Sequence, residues 1–458
     1  MVKEAVEYYH ELLSDTELAS ASLQLLDAGL SRTKLIFGGR HLAPYLRPHF
    51  VTASDWTRIT GVCETVFGAL QKVKAAAVED DAVLDELGVT AIERDLVKID
   101  PGYEHVSPTS RLDSFLTDDA YSFVELNGES PAGIAYADSA SEIFRSLPVM
   151  QKFGERYSFY GHHGRPKLLD VLLRCYAEFL GRDPERAPTI AIVDLKDLPT
   201  LKEFELFAEY FESQGYPSII CSPDELEFNG TWLMHDGRVI DIVYKRLLVN
   251  EYLPIMAEQP ALLNAYRAGT ICMVNSFRSK LVHKKAIFAV LTNERYSHLF
   301  SGDELAAIKA HVPWTRVFRD EKTKVRTGSD SDWVLADADL VEYTRANSDK
   351  LVLKPNDDYG GHGIYIGWNS TANEWDNAIA AALANGDYLV QERVRTAKEM
   401  FPMITDDGGW QMVEQLVDLD PLLFLGKVGS AFTRLSSTEL ANVSSGGGMV
   451  PTFIIDDK

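Results

Sequence analysis

The stretch Leu351-Val-Leu-Lys354-Pro-Asn-Asp-Asp-Tyr-Gly360-Gly361-His-Gly363-Ile-Tyr-Ile-Gly367 decides how the rest of this chain reads. An apolar, β-branched run delivers a lysine, a glycine-dense turn follows, and Ile364-Tyr-Ile366 returns as a second strand. The pattern predicts a hairpin whose loop can close over phosphates. Backbone amides must approach an anion closely in such a loop, often at positive φ, where a Cβ would clash. Lys354 adds a point charge at the strand end. Gly360, Gly361 and Gly363 suit a plain turn equally, so the stretch alone leaves both readings open. Two familiar phosphate signatures are excluded: there is no GxxxxGK[ST], and these glycines lie between strands and do not open a helix.

A second informative segment lies far upstream, Arg111-Leu-Asp113 followed by Phe123-Val-Glu125-Leu-Asn127-Gly-Glu-Ser130-Pro-Ala-Gly133. Strand periodicity places Glu125 and Asn127 on one face. Asp113, on a preceding short strand, pairs back through the polar turn Thr117-Asp-Asp-Ala120. Hard oxygen donors in this number suit Mg2+, which takes one or two carboxylates and completes its octahedron with water and substrate phosphate. A solvated acidic hairpin face is the alternative reading.

Together the two segments resemble the ATP-grasp superfamily, whose members carry a Lys-Pro strand, a glycine-rich flap and a closing R-x-D…E-x-N metal motif. In most members that motif comes last, whereas here it comes first. The order resembles the circularly permuted ATP-grasp group that includes glutathionylspermidine synthase and its relatives. Gly429-Ser-Ala-Phe-Thr-Arg434-Leu-Ser and Asn442-Val-Ser-Ser-Gly446-Gly-Gly-Met-Val-Pro451 resemble the segment that precedes R-x-D in unpermuted members. The resemblance implies an α/β fold: a permuted ATP-grasp unit, a Rossmann-like domain before it and an added N-terminal helical layer. It implies ATP and Mg2+ as cofactors, with Asp113, Glu125 and Asn127 on the metal. Lys354, Gly360, Gly361 and Gly363 then face the phosphates, and Lys285, within Asn275-Ser-Phe-Arg278…Lys284-Lys285, joins them. Ser276 stands where the relatives have proline. Gln391 and Glu392 match the end of the strand that leads to the adenine hinge, with Glu399 a second candidate for the ribose. Arg434 sits in the apolar run Ala431-Phe-Thr-Arg-Leu, where an unpaired guanidinium is costly. A phosphate, a substrate carboxylate or a salt bridge would each offset that cost, and Arg111 reads the same way.

Composition agrees with an enzyme of this kind. The chain has 458 residues, 46% of them apolar, enough for two or three domains. The formal charge of −23 argues against nonspecific nucleic-acid binding, which draws on lysine and arginine. The longest apolar runs fall well short of the roughly 20 residues that cross a bilayer. The acidic, amphipathic start argues against a secretory signal. Cys63, Cys175, Cys221 and Cys272 show no C-x-x-C spacing, so reduced thiols and a cytoplasmic location are expected. Tyr160-Gly-His-His-Gly164 offers two histidines but no third ligand at a defensible spacing, so a polar loop is expected there.

Periodicity predicts helices over much of residues 1–105, and the metal-binding hairpin occupies 106–135. A helical connection spans 136–187, with helices at 139–147 and 165–180. A βαβ-patterned domain covers 188–275, with strands at 189–193, 217–221, 239–244 and 270–274 and helices at 201–214 and 254–268. The nucleotide domain covers 276–458. Residues after Ile455 are expected to end beside the entry to the Arg111 strand. The expected activity is that of an ATP-dependent carboxylate-amine ligase, ADP-forming, working through an acyl phosphate. It would join a small-molecule or peptide carboxylate to an amine, with no nucleic-acid or membrane partner. A kinase-like phosphotransferase and an inactive nucleotide-binding scaffold are the alternatives.

Overall fold

Three sheets carry the architecture, and in each the side-chain alternation of the strands decides what faces what. The computed structural model describes residues 2–33, 35–37, 40–328, 333–358, 360–405, 407–438 and 447–457. The first sheet is parallel, with Ile190–Val193 between Ser218–Cys221 and Ile242–Lys245, and Cys272–Val274 beyond the latter. Ile190 and Ile192 face a core that includes Phe204, Phe207 and Phe211, whereas Ala191 and Val193 face Leu262, Leu263 and Tyr266. Burial on both faces explains why these strands read as uninterrupted apolar runs.

The run expected as one strand over 239–244 is divided at Asp241. Arg238–Ile240 pairs antiparallel with Leu233–His235, while Ile242–Lys245 enters the parallel sheet. The Asp241 carboxylate accepts from Thr189 N at 2.8 Å and from both Arg186 terminal nitrogens at 2.8 Å, which anchors the break. Of the helix expected over 254–268 only Ala261–Arg267 is helical, and a separate short helix, Val249–Tyr252, precedes the expected range. Pro260 precedes Ala261–Arg267, and its ring disfavours helical geometry at the residue before it.

The second sheet is antiparallel and holds the lysine strand. Its order is Thr315–Val317, Tyr388–Glu392, Leu351–Pro355, Tyr365–Ile366. Leu351 and Leu353 pack with Trp375, Ile379 and Ala382 of the helix Ala372–Asn385, so Val352 and Lys354 point to the opposite face.

The third sheet runs Gly448–Val450, Lys427–Ser436, Trp410–Phe424, Thr109–Leu116, Tyr121–Asn127, with Ala397–Ile404 also paired to the long central strand. Residues near position 111 thus pair with residues near 422, Leu422 standing opposite Arg111. Leu112, Leu126, Leu419 and Leu423 lie on one face and pack with Cys63, Val66, Phe67 and Leu70 of the 27-residue helix Ala53–Glu79. The other face of the same strands carries Arg111, Asp113, Glu125, Asn127, Asp418 and Asp420. A bulge leaves Val124 as the extra residue between the Asp113–Glu125 and Ser114–Phe123 pairs.

The N-terminal layer is not purely helical, contrary to expectation. Besides its helices it supplies His49–Thr52, which pairs parallel with Thr452–Ile455; Phe159–Tyr160 pairs on that strand's other side. Parallel pairing between segments some 400 positions apart leaves no trace in local periodicity. The chain end lies at the start of the helix Ala53–Glu79 and not at the Arg111 strand, for Ser54 N and Oγ donate to Asp457 at 2.8 and 2.9 Å. Of the segment singled out at Asn442–Pro451, residues 442–446 lie outside the described residues, and Gly448–Val450 forms the edge strand of the third sheet. Among the described residues no helix is long and apolar enough to cross a membrane, and the four cysteines are buried and unpaired.

Gly367 marks a close backbone approach: a Cβ there would sit 2.1 Å from Ser348 O and 2.7 Å from Leu351 O. Gly367→Ala is therefore expected to cost roughly 2–3 kcal/mol by overpacking against backbone that cannot step aside. Gly302→Ala, where the space is open and Ser301 caps the helix, should stay within about 0.5 kcal/mol of wild type. Urea denaturation of both variants checks the pair.

Candidate active site between the two antiparallel sheets

The charged face of the third sheet and the lysine face of the second enclose one cleft. Arg111, Asp113, Glu125, Asn127, Lys285, Lys354, Gly360, Gly361, Gln391, Glu392 and Arg434 all line it. Lys354 is buried, and its Nζ donates to Val124 O and Gln391 Oε1, both at 2.7 Å. Burial pulls its pKa down to about 7, with Glu125 opposing the fall and Lys285 adding to it. Lys285 Nζ lies 3.0 Å from Glu125 Oε1 and also donates to Asp358 O at the root of the glycine segment. Burial raises the Glu125 carboxyl, but Lys285 and Lys354 together outweigh it and hold the pKa low.

Asp113 is the most crowded acceptor in the cleft. Arg111 donates to it from Nε at 2.8 Å and Nη2 at 3.1 Å, Asn127 Nδ2 at 2.9 Å, and Arg434 Nη2 at 2.5 Å. Burial pushes this carboxyl up, but Arg111 and Arg434 prevail and its pKa falls to about 2. Arg111 is fixed further by Ala132 O at 2.8 Å. Arg434 Nη2 also donates to Asp418, and its Nε lies 2.9 Å from Asp420 Oδ2. Both of these aspartates are raised by burial, which Arg434 counters only in part. Sequence reading passed them over, although Val417-Asp418-Leu419-Asp420 alternates acid with aliphatic inside an apolar strand. That period of two is a signal for acids on one buried face.

Oxygen donors for a cation are present in two overlapping sets. Asp113, Glu125 and Asn127 stand together at the cleft wall, and Asn127 donates an amide hydrogen to Asp113, which leaves its carbonyl oxygen as the group able to meet a cation. Asp113, Asp418 and Asp420 also bring carboxylate oxygens within 4.8 Å of one another. Hard oxygens in this number match the donor chemistry of Mg2+.

Gly360, Gly361 and Gly363 have φ of 74°, 78° and 69°. Side chains rarely adopt that region, so the glycines are required by the backbone path. The root of this segment is gripped from below, Asp357 by Lys280 at 2.5 Å and Lys284 at 3.3 Å. At the other end of the cleft Glu392 accepts from Arg326 Nη1 at 2.8 Å, and the Arg393 guanidinium lies 4.2 Å from the Trp368 ring centre. Val352, Ile366 and Trp368 make this end apolar. Glu399, the second ribose candidate, does not line the cleft. It is paired with the buried Arg47 at 2.8 Å and lies 3.6 Å from His49, because the strand Ala397–Ile404 carries it to the N-terminal layer. His162 stacks on Trp56 with ring centres 5.4 Å apart.

No protein-family model matches the chain. It is 24% identical over 351 residues to a Frankia alni protein named "Putative glutamate–cysteine ligase 2-3", covering 74% of this chain and 37% of that protein. It is 24% identical over 444 residues to "Putative glutamate–cysteine ligase 2-2" of Frankia casuarinae, covering 89% and 46%. The chain thus spans less than half the length of these relatives. Its fold is shared with a glutathione synthetase-like effector from Globodera pallida, solved without ligand, at a TM-score of 0.59 and 14% identity over 95% of this chain and 96% of that one.

The lysine supplies a pH test. Unfolded, Lys354 keeps its proton to about pH 10.4; folded, it releases it near 7. Between those values the unfolded chain binds more protons, so folding stability rises with pH, by up to roughly 1 kcal/mol per unit. Lys354→Met should lack this component, and wild type should gain stability relative to the variant from pH 7 to 9. Parallel slopes in denaturation series at each pH would contradict the buried, neutral-prone lysine.

Proposed function

We propose that this protein is an ATP-dependent carboxylate-amine ligase built on a circularly permuted ATP-grasp unit. The observation that carries the reading is the meeting of Lys354 with Val124, next to Glu125, in one cleft, 230 positions apart in sequence. The sheet order supports the permutation, since the hairpin at 109–127 completes a sheet whose remaining strands all lie beyond residue 396. The shared fold with a glutathione synthetase-like protein and the names of the two Frankia relatives support ligation. They favour an amino-acid or peptide carboxylate and an amino-acid amine.

In this reading the nucleobase lies at the apolar end near Gln391 and Glu392. The phosphates lie under Gly360 and Gly361 against Lys285 and Lys354, while Gly363 does not line the cleft and takes a hydrogen bond from Tyr388 Oη at 3.1 Å. Asp113, Glu125 and Asn127 would hold Mg2+, which would supply neutralisation of the phosphate charge. A substrate carboxylate oxygen attacks the terminal phosphorus, the bond to the bridging oxygen breaks, and ADP leaves. Arg434 and Arg111 stabilise the charge spread over the transferring group, a task of positioning and electrostatics with no covalent protein nucleophile. The amine then attacks the acyl carbon, and phosphate departs. Burial of Lys354 keeps it responsive: an arriving anion favours its charged form and raises its pKa.

The test begins with calorimetric titration of a non-hydrolysable ATP analogue in Mg2+, where Gly361→Val should weaken binding at least tenfold, about 1.4 kcal/mol. Glu125→Gln should abolish ADP release driven by a panel of amino acids and peptides while the fold persists. Hydroxylamine added to the active mixture should trap an acyl hydroxamate. A stable phosphorylated acceptor with no trapped hydroxamate would move the assignment to a phosphotransferase, and full nucleotide affinity in Gly361→Val would remove the flap from the site.

A further inference from the structure

Asp418 and Asp420 take no part in the chemistry described above, yet both are fully buried and charged groups there must be matched. Asp418 stands directly opposite Arg434 in the sheet register, and Asp420 follows two residues on along the same face. Asp418 accepts from Arg434 Nη2, and Asp420 Oδ2 lies 2.9 Å from Arg434 Nε and 3.5 Å from Arg111 Nε. Each aspartate also keeps one oxygen without a hydrogen bond, Oδ1 of Asp418 and Oδ2 of Asp420.

The third carboxylate on Arg434 is Asp113, whose two oxygens already accept four N–H groups. Resting on the reading of the cleft as a Mg-nucleotide site, a divalent cation that takes Asp113 must displace at least one of these donors. Arg111 is tied to Asp113 through two nitrogens and to Ala132 O besides, whereas Asn127 and Arg434 hold it by one bond each; of these two Arg434 carries the positive charge that an incoming cation repels, and it is the donor that yields. A guanidinium losing its only counter-ion would leave the cleft for water. Arg434 has two more behind it.

We propose that Asp418 and Asp420 are positioning residues: they hold the Arg434 guanidinium in the cleft while it exchanges Asp113 for the phosphate beside an incoming divalent cation. Arg434 and the cation then compete for one carboxylate, and the aspartate pair sets the outcome by giving the guanidinium somewhere else to bind.

The experiment reads Mn2+ binding to the full chain by electron paramagnetic resonance, with a non-hydrolysable ATP analogue present. Arg434→Gln removes the competitor and should tighten Mn2+ several-fold. Asp418→Asn leaves Arg434 leaning on Asp113 and should weaken Mn2+ about tenfold. Made in the Arg434→Gln background, the same Asp418→Asn change should cost less than about threefold, since there is no guanidinium left to hold. Asp420→Asn should show the same dependence on Arg434, and it serves in place of Asp418→Asn if that variant does not fold by circular dichroism. An equal loss in both backgrounds would overturn the proposal, because the aspartates would then act on the cation directly, as ligands or through their charge. Wild type binding the nucleotide analogue but no Mn2+ would overturn it while leaving the nucleotide site in place. Binding of neither would sink the nucleotide reading as well.

Discussion

A guanidinium buried in a sheet must have its counter-charges delivered by neighbouring strands, and that constraint organises the charged face of this protein. Arg434 comes from one strand, Asp418 and Asp420 from the next, and Arg111 and Asp113 from a third. Two guanidiniums there serve three carboxylates, so removing an arginine would leave buried negative charge unmatched, a defect that typically costs about 3–5 kcal/mol. The requirement is also a register lock. A slip of one residue in the central strand would turn Asp418 and Asp420 toward the helix Ala53–Glu79 and send Leu419 into the cleft. Charge pairing on one face and leucine packing on the other therefore specify the same alignment.

A second buried network ties the lysine sheet to the rest. Lys280 lies 3.0 Å from Glu129, which follows the Asn127 strand, and 2.5 Å from Asp357 at the root of the glycine segment. Lys284 joins Asp357 to Glu93 of the N-terminal layer at 3.2 Å, and Lys245 reaches Glu129 from the parallel sheet at 3.4 Å. The glycine segment thus springs from a clamped base. Lys354 is cradled differently. Neutral carbonyl oxygens hold it with Glu125 nearby, so its charge answers to what enters the cleft.

The pairing also explains why the cleft is built from sequence extremes. Strands near residues 111 and 125 complete a sheet begun by strands near 415 and 430, and the last strand returns to pair with one near residue 50. The helix Ala53–Glu79 covers the apolar face of that sheet while Asp457 bonds to Ser54 at its start. The N-terminal layer is consequently part of the site's support and not a separate coat.

The sequence by itself determined the local pieces: the lysine strand and its glycine turn, the hairpin bearing Asp113, Glu125 and Asn127, and the parallel strands at 190–193 and 218–221. Each is written in a period of two, an unbroken apolar run or glycines at fixed offsets, all of which act over a few residues. Asp418 and Asp420 were within reach of the same period-two logic, but their meaning lay in Arg434 across the strand pair. Only tertiary structure decided that the strand at 49–52 joins the strand at 452–455, that Asp241 divides two sheets, and that Glu399 serves Arg47 and not the cleft. These outcomes depend on pairing between distant segments, whose free energy comes from burial and charge matching in three dimensions and leaves no local pattern in the chain.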